Sequence, residues 1–265
     1  MDPIAQFKEN AKKGWELFAP TEMATATASP RLARFAGLRA GSRVLDVGCG
    51  TGVLALTAAR LGAKSTGIDP TPKLLERARE NAKLMGLDVE WQEGDVEALP
   101  FADAAFDAVV SQFGHMFAPR PELAVGEMLR VLKPGGTIAF ATWPPDLAIG
   151  TMFKLVGKYA PPPPPGVSPP HLWGDPDVVR ERLGKAVGDI VFDMGHMRFQ
   201  ILSVQHLRVF LEANVGPIAG LVRALGASDP DKLEAFRREL EQRLSDYFED
   251  NTVRQDYLLT RAKKL

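Results

Sequence analysis

The chain has 265 residues, of which 45% are hydrophobic and 25% charged, with a formal net charge of −1. This composition is typical of globular proteins, and such a balanced charge excludes the basic excess that nucleic-acid or membrane-surface binding usually requires. The single cysteine, Cys49, excludes an internal disulfide and favours a reducing cytoplasm. No run of 18 apolar residues occurs, so we expect no membrane insertion.

Prolines divide the chain. Residues 161–165 are five consecutive prolines, which favour polyproline II and exclude a helix or a central strand. Residues 160–174 are therefore interpreted as a stiff connector. The chain is predicted to contain four parts: an N-terminal helical cap at 1–40, an α/β core at 41–145, a connector and helical lid with one sheet strand at 146–250, and a final strand at 251–265.

Strands and helices alternate through the core. The predicted strands are 43–47, 64–68, 89–93, 106–111 and 137–142, and the predicted helices are 53–61, 72–85 and 121–132, with a tight turn at 133–136. Beyond the connector we predict a helix near 177–183, a strand near 198–202, helices near 204–213 and 231–248, and a strand near 256–262. This alternation predicts an α/β fold with a doubly wound parallel sheet.

A glycine-rich turn follows the first strand. Gly48, Gly50 and Gly52 lie between that strand and a helix, where open α/β sheets bind ligands and where glycines let backbone N–H groups approach them. A dinucleotide fingerprint would need glycine at the next position, which is Val53. Asp46, just before the first glycine, suits an ammonium group better than a pyrophosphate. The three glycines could also do no more than shape the turn.

Two more acids follow the next strands. Asp69, at the end of the second strand, can accept hydrogen bonds from ribose hydroxyls, which fits a nicotinamide cofactor and S-adenosylmethionine (SAM) equally. Asp95, after the third strand, can bind an exocyclic adenine amine while the Val96 N–H meets a ring nitrogen.

Taken together, these motifs resemble the class I SAM-dependent methyltransferases, most closely the small-molecule branch that is similar to the ubiquinone and menaquinone biosynthesis enzymes. The resemblance covers about residues 40–143 and includes 46–52, 94–95, 99–101, 106–107 and 130–136. It implies a Rossmann-like, seven-stranded sheet whose last strand is antiparallel, and SAM as the cofactor, with S-adenosylhomocysteine (SAH) as the product. The cofactor-binding residues predicted on this basis are Phe18, Asp46, Gly48, Cys49, Gly50, Gly52, Asp69, Pro70, Gly94, Asp95, Val96, Gln112 and Phe113.

The catalytic and acceptor-binding residues have two interpretations each. His115 follows the fourth strand, where a general base could deprotonate the acceptor, or it could be a loop histidine that only shapes the pocket. Phe117, Trp143, His171 and Trp173 are candidates for the substrate pocket or are packing anchors. No metal site is expected, because the four histidines have no zinc-ligand spacing.

The sequence therefore predicts methyl transfer from SAM to a small-molecule acceptor, with no nucleic-acid partner. Two alternatives remain open at this stage. One is a non-catalytic SAM-binding regulatory protein, and the other, less favoured, is an NAD-type oxidoreductase. The acceptor atom and the oligomeric state are left open.

Overall fold

The computed structural model describes residues 2–265, in which one mixed sheet is surrounded by helices. The sheet order is β3-β2-β1-β4-β5-β8-β6, and β8 runs antiparallel to β5, β6 and β7 while β1 to β5 are mutually parallel. The strands are β1 (Arg43–Val47), β2 (Lys64–Asp69), β3 (Glu90–Glu93), β4 (Phe106–Gln112), β5 (Leu132–Thr142), β6 (Val187–Gln200), β7 (Phe248–Glu249) and β8 (Thr252–Lys264).

Eleven α-helices accompany this sheet within residues 2–265, joined in places by single 3-10 turns. They are α1 (Pro3–Trp15), α2 (Glu22–Thr25), α3 (Ser29–Phe35), α4 (Val53–Arg60), α5 (Pro72–Met85), α6 (Pro121–Val131), α7 (Ala148–Tyr159), α8 (Pro176–Leu183), α9 (Val204–Asn214), α10 (Gly216–Ser228) and α11 (Pro230–Ser245). None of them alone has the length and apolar character of a membrane span; α9 and α10 pass that test only as a pair, and they meet at a bend of 92°.

The central strands are buried on both faces. Val44 and Leu45 of β1, Val109 of β4 and Phe140 of β5 have no exposed surface. Strands covered on both sides are near-continuous apolar runs, which is how these segments look in the sequence. The predicted Rossmann-like α/β fold with an antiparallel last strand is confirmed. From β1 the chain continues to β2 on one side, and from β4 it continues to β5 on the other, so the strand order reverses between β1 and β4.

The sheet has eight strands where seven were predicted, because the end of the last predicted helix was misplaced. α11 ends at Ser245 and not near 248, and Phe248–Glu249 pairs with β8 instead. The two residues that connect β7 to β8, Asp250 and Asn251, both have positive φ, at 49° and 54°. That geometry is a type I′ hairpin turn, which Asp and Asn tolerate better than other non-glycine residues.

Three elements after the core differ from the prediction. β6 begins at Val187, eleven residues before the predicted start, because Gly188, Asp189 and Gly195 are poor strand formers that concealed it. α7 and α10 were not predicted at all. The proline run has no regular secondary structure, but residues Pro170–Gly174 of the predicted connector form a 3-10 turn.

The N-terminal helix packs directly on the segment after the connector. At Gly14 of α1, a Cβ atom would lie 3.1 Å from the Cα of Gly216, at the start of α10. Two glycines at the crossing let the helix backbones approach closely. α1 and the helices that follow the core therefore belong to one packed layer.

At the direction change, the turn after β1 touches the segment after β4. A Cβ atom on Gly114 would lie 2.3 Å from the carbonyl oxygen of Gly48. Gly48 itself has φ +64°, a backbone conformation that side chains rarely adopt. The carboxyl ends of β1 and β4 can therefore meet only if both residues lack a side chain.

This contact predicts that Gly114→Ala is destabilising. The added methyl group has no space, so the backbone must shift, at a cost of about 1–3 kcal/mol. Chemical unfolding monitored by circular dichroism measures the difference. Gly126→Ala in α6 is the control, because nothing lies within 4 Å of its added Cβ and Ala favours a helix. Equal stability of the Gly114 variant and the native protein would contradict the proposed steric role.

Candidate functional site

A cavity of about 520 Å³ opens at the carboxyl ends of β1, β2 and β4. This is the edge at which doubly wound sheets bind their ligands. Fifteen of the eighteen predicted site residues line it: Phe18, Asp46, Gly48, Cys49, Gly50, Asp69, Pro70, Gly94, Asp95, Val96, Gln112, Phe113, His115, Phe117 and Trp143. Gly52, His171 and Trp173 do not.

Gly52, which was predicted to contact the cofactor, does not line the cavity and packs against Trp91. It is the N-cap residue that precedes α4, with φ +85°, and a Cβ there would lie 2.5 Å from the ring of Trp91. Gly48 and Gly50, by contrast, form the cavity wall with φ +64° and +55°. The three glycines thus all shape the turn, and two of them also border the cavity.

Asp46 has a buried carboxylate with one unsatisfied oxygen. Its Oδ2 accepts a hydrogen bond from the Ala55 N–H at 2.9 Å, and its Oδ1 has no partner among residues 2–265. Burial, together with the nearby Asp69 charge, raises the pKa of Asp46 well above its ordinary value. A buried acceptor without a donor is costly. The unpaired Asp46 Oδ1 therefore fits a cationic group such as the ammonium of SAM.

Asp69 is held in place by two backbone donors. The Gly50 and Thr71 N–H groups each donate to one carboxylate oxygen at 2.9 Å. Burial raises the pKa of Asp69 as well. Each oxygen keeps a free lone pair, so the carboxylate is oriented and can still accept from a pair of hydroxyls.

Asp95 forms an ion pair with Lys8, which no sequence pattern predicted. Its Oδ1 accepts from the Glu97 N–H at 2.9 Å, and its Oδ2 lies 2.6 Å from Lys8 Nζ in α1. Lys8 also bonds Glu97, whose side chain is 1% exposed and pairs with Arg120 too. Lys8 is 87 residues away from Asp95, and no local motif signals such a pairing. Through Lys8, α1 is fastened across the predicted adenine end of the cavity.

The last residue of β4 and the residues that follow it line the middle of the cavity. Phe113 has φ +60°, a strained conformation for a bulky residue, and its ring stacks on Trp143 with 3.9 Å between centroids. The Gln112 amide donates to the Thr25 carbonyl and accepts from the Ser29 hydroxyl, at 2.9 and 2.7 Å. Gln112 therefore ties the N-terminal segment to this edge of the sheet.

His115 lies in an apolar setting. Its ring is 4.5 Å from that of Phe140 and 4.6 Å from that of Trp173, and neither ring nitrogen has a partner among residues 2–265. Burial, with a smaller contribution from the Arg182 charge, lowers the pKa of His115 to about 3. An imidazole with so low a pKa is neutral at pH 7 and accepts protons poorly.

Trp173 and His171 lie away from the cavity. Trp173 is 1% exposed, its ring packs on Phe140 and His115, and its carbonyl accepts from the Thr142 hydroxyl at 2.8 Å. Both residues belong to the 3-10 turn Pro170–Gly174, which packs behind β5. Of the two interpretations of Trp173, its contacts fit that of a packing anchor.

The other half of the cavity was missed because its residues come from distant elements. Its walls are apolar or neutral: Ile149, Met152 and Phe153 from α7, Phe199 from β6, Leu207, Phe210 and Leu211 from α9, and Gln255 from β8. In the sequence, such residues at helical spacing are indistinguishable from an ordinary core. Among residues 2–265, no group of three or more His, Cys, Asp and Glu side chains is placed to hold a metal ion.

Comparison with known proteins agrees with this geometry. The methyltransferase domain family matches residues 45–140. Over 247 residues the chain is 33% identical to Rv1403c of Mycobacterium tuberculosis, a protein without an assigned function, covering 93% of this chain and 90% of that one. It is 44% identical to demethylmenaquinone methyltransferase of Thermus thermophilus over 121 residues, 44% of this chain and 55% of that one.

A solved structure from Bacillus halodurans, named as a methyltransferase, has the same fold. It superposes with a TM-score of 0.61 at 22% identity, over 90% of this chain and 99% of that one. The motif series, the cavity at the carboxyl edge of the sheet and these relatives agree with one another. The chain therefore belongs to the SAM-dependent methyltransferases and is an enzyme of that class.

Proposed function

We propose that this enzyme transfers the methyl group of SAM by in-line displacement to a small molecule bound in the apolar half of the cavity. The observation that carries the proposal is the division of a single cavity. Carboxylates border one half, apolar side chains border the other, and the two meet at the segment after β4. SAM supplies a methyl group that its sulfonium has already activated, so the protein needs to contribute mainly binding and orientation.

Three carboxylates are proposed to hold the cofactor. Asp46 binds the ammonium group with its unpaired oxygen, and Asp69 accepts the ribose hydroxyls. Asp95 and Val96 bind the adenine edge, next to the Lys8 bridge from α1. Gly48 and Gly50 leave room for the methionine part, and Phe18 covers the cofactor from the N-terminal segment.

The apolar half is proposed to orient the acceptor and exclude water. Fixing two reactants in an attack geometry can supply roughly 7–11 kcal/mol of the barrier. The Thermus thermophilus relative is named for demethylmenaquinone, which supports a small-molecule acceptor here. His115 is proposed to shape the wall between Phe140 and Trp173 without taking a proton.

The first test is binding of SAH, and separately of NADH, measured by titration calorimetry. We expect micromolar or tighter binding of SAH alone, and a loss of at least tenfold in Asp69→Ala. Asp88→Ala, an exposed acid outside the cavity, is the matched control and keeps native affinity. Thermal melting shows whether the Asp69 variant remains folded. Tighter binding of NADH than of SAH would contradict the proposed function.

Turnover is tested with methyl-labelled SAM and a panel of phenols, thiols, amines and carbon acids. Label in an organic product from at least one acceptor is the expected result. Tight SAH binding without turnover on any acceptor would favour the alternative, a non-catalytic SAM-binding regulator.

The Asp46 carboxylate predicts that SAH affinity depends on pH. In the free protein its pKa is raised, so the carboxyl tends to keep a proton, whereas an ammonium group pairs with the deprotonated form. Binding then releases a proton, and affinity rises with pH until Asp46 is ionised in the free protein. Calorimetry from about pH 5 to about pH 8 measures this slope. Asp46→Asn should bind more weakly with a flatter profile, since Asp69 remains in both proteins; equal slopes would contradict the ammonium assignment.

The setting of His115 predicts a small effect of His115→Phe on methyl transfer. A general base typically contributes about 10²–10⁴-fold to the rate. Phe preserves the ring contacts, so we expect a loss below tenfold with the best acceptor of the panel. A fall in the methyl-transfer rate of about 10²-fold or more, with native SAH affinity, would instead show that His115 acts as a general base.

A further inference from the structure

Charged side chains border only one half of the cavity. They come from α1 and from the carboxyl ends of β1, β2 and β3: Lys8, Glu9, Lys12, Asp46, Asp69, Glu93 and Asp95. The lining side chains of α7, β6, α9 and β8 carry no charge. A carboxylate, phosphate or ammonium on the acceptor would lose its hydration there without gaining a partner, and such burial is strongly unfavourable.

Aromatic rings form much of the acceptor half. Phe117 lies 5.5 Å from Phe153 in an edge-to-face pair, and Phe199 lies 4.9 Å from Phe210. Trp143 stacks on Phe113 at the border with the cofactor half. Walls of this kind pack well against a flat ring.

Gln255 is the exception in this apolar wall. On β8 it pairs with Met197 of β6, and Phe199, two residues further along β6, shares its face of the sheet. Gln255 is 7% exposed and lines the cavity. Its side-chain amide makes no hydrogen bond to any other of residues 2–265, whereas the Gln112 amide accepts from Ser29 and donates to Thr25.

Among the lining side chains of α7, β6, α9 and β8, the Gln255 amide is the one strong hydrogen-bonding group. The indole N–H groups of Trp15 and Trp143 can only donate, whereas the Gln255 amide both donates and accepts. The Gln255 amide is accessible from the cavity, so a ligand that fills the cavity removes it from water. A ligand that then supplies a hydrogen-bond partner gains selectivity over one that leaves the amide unpaired. The feature that Gln255 recognises is therefore neutral and polar.

We propose that Gln255 selects and orients the acceptor: it hydrogen-bonds a neutral oxygen or nitrogen at the edge of an uncharged, ring-bearing molecule. The inference rests on the proposed methyl-transfer function and specifies its substrate class. An acceptor of this class lies against the aromatic rings and presents its polar edge to β8. Charged analogues of the same shape are rejected.

Three probes of one shape test the proposal on the full-length protein saturated with SAH: 2-naphthol, naphthalene and 2-naphthoate. Calorimetry is expected to show binding of 2-naphthol and at least tenfold weaker binding of 2-naphthoate. In Gln255→Leu, the affinity for 2-naphthol falls about 5- to 10-fold, the effect of one neutral hydrogen bond, and the affinity for naphthalene does not fall. Leu fits an apolar wall, so thermal melting and SAH affinity should remain native.

Gln242→Leu is the matched control, because Gln242 is exposed on α11 and outside the cavity; it should leave all three affinities unchanged. Equal binding of 2-naphthoate and 2-naphthol, or an equal loss for naphthalene and 2-naphthol in Gln255→Leu, would overturn the role of Gln255. If none of the probes binds while SAH does, the substrate class is wrong and the methyltransferase assignment stands. Absence of SAH binding would instead contradict the proposed function on which the inference rests.

Discussion

The site depends on the backbone contact between Gly48 and Gly114. β1 and β4 are neighbours in the sheet, but the chain leaves them in opposite directions, so a crevice opens between the segments that follow them. The contact closes the floor of that crevice, since a Cβ on either glycine would be 2.8 Å or less from the backbone of the other. Asp46 lies at one side of this floor and Phe113, with its strained backbone, at the other.

The carboxylates around the crevice are arranged by backbone donors more than by other side chains. Asp46, Asp69 and Asp95 each accept at least one backbone N–H bond. These bonds fix the carboxylates before any ligand arrives, which lowers the ordering cost of binding. Only Asp95 has a cationic side-chain partner, Lys8, and this pair ties the charged half of the cavity to α1.

α1 connects the two halves of the cavity. Lys8 fastens it to the loop after β3 through Asp95 and the buried Glu97, and Trp15 near its end packs on Phe117, with 4.5 Å between the ring centroids. Gly14 crosses α10, so the same helix contacts the layer that covers the acceptor half. An element with contacts to both halves of the cavity can keep water out of both at once, which suits the proposed reaction because it is governed by orientation.

The sequence by itself determined the core of the protein. The strand–helix alternation, the glycine turn and the acids at 46, 69 and 95 are local patterns with direct physical meaning. They identified the fold class and the charged half of the cavity. The local sequence pattern also mispredicted the bounds of particular elements. Gly188 and Gly195 concealed most of β6 from the sequence pattern, and the last predicted helix was extended to Phe248, which belongs to β7. Only the tertiary structure decided which partners meet. Lys8 reaches Asp95 across 87 residues, Gly52 packs under Trp91, and Gln255 lies among side chains from α7, β6 and α9. Apolar residues that line a cavity and those that fill a core have the same periodicity, so the apolar half of the cavity could be recognised only once the helices were in place.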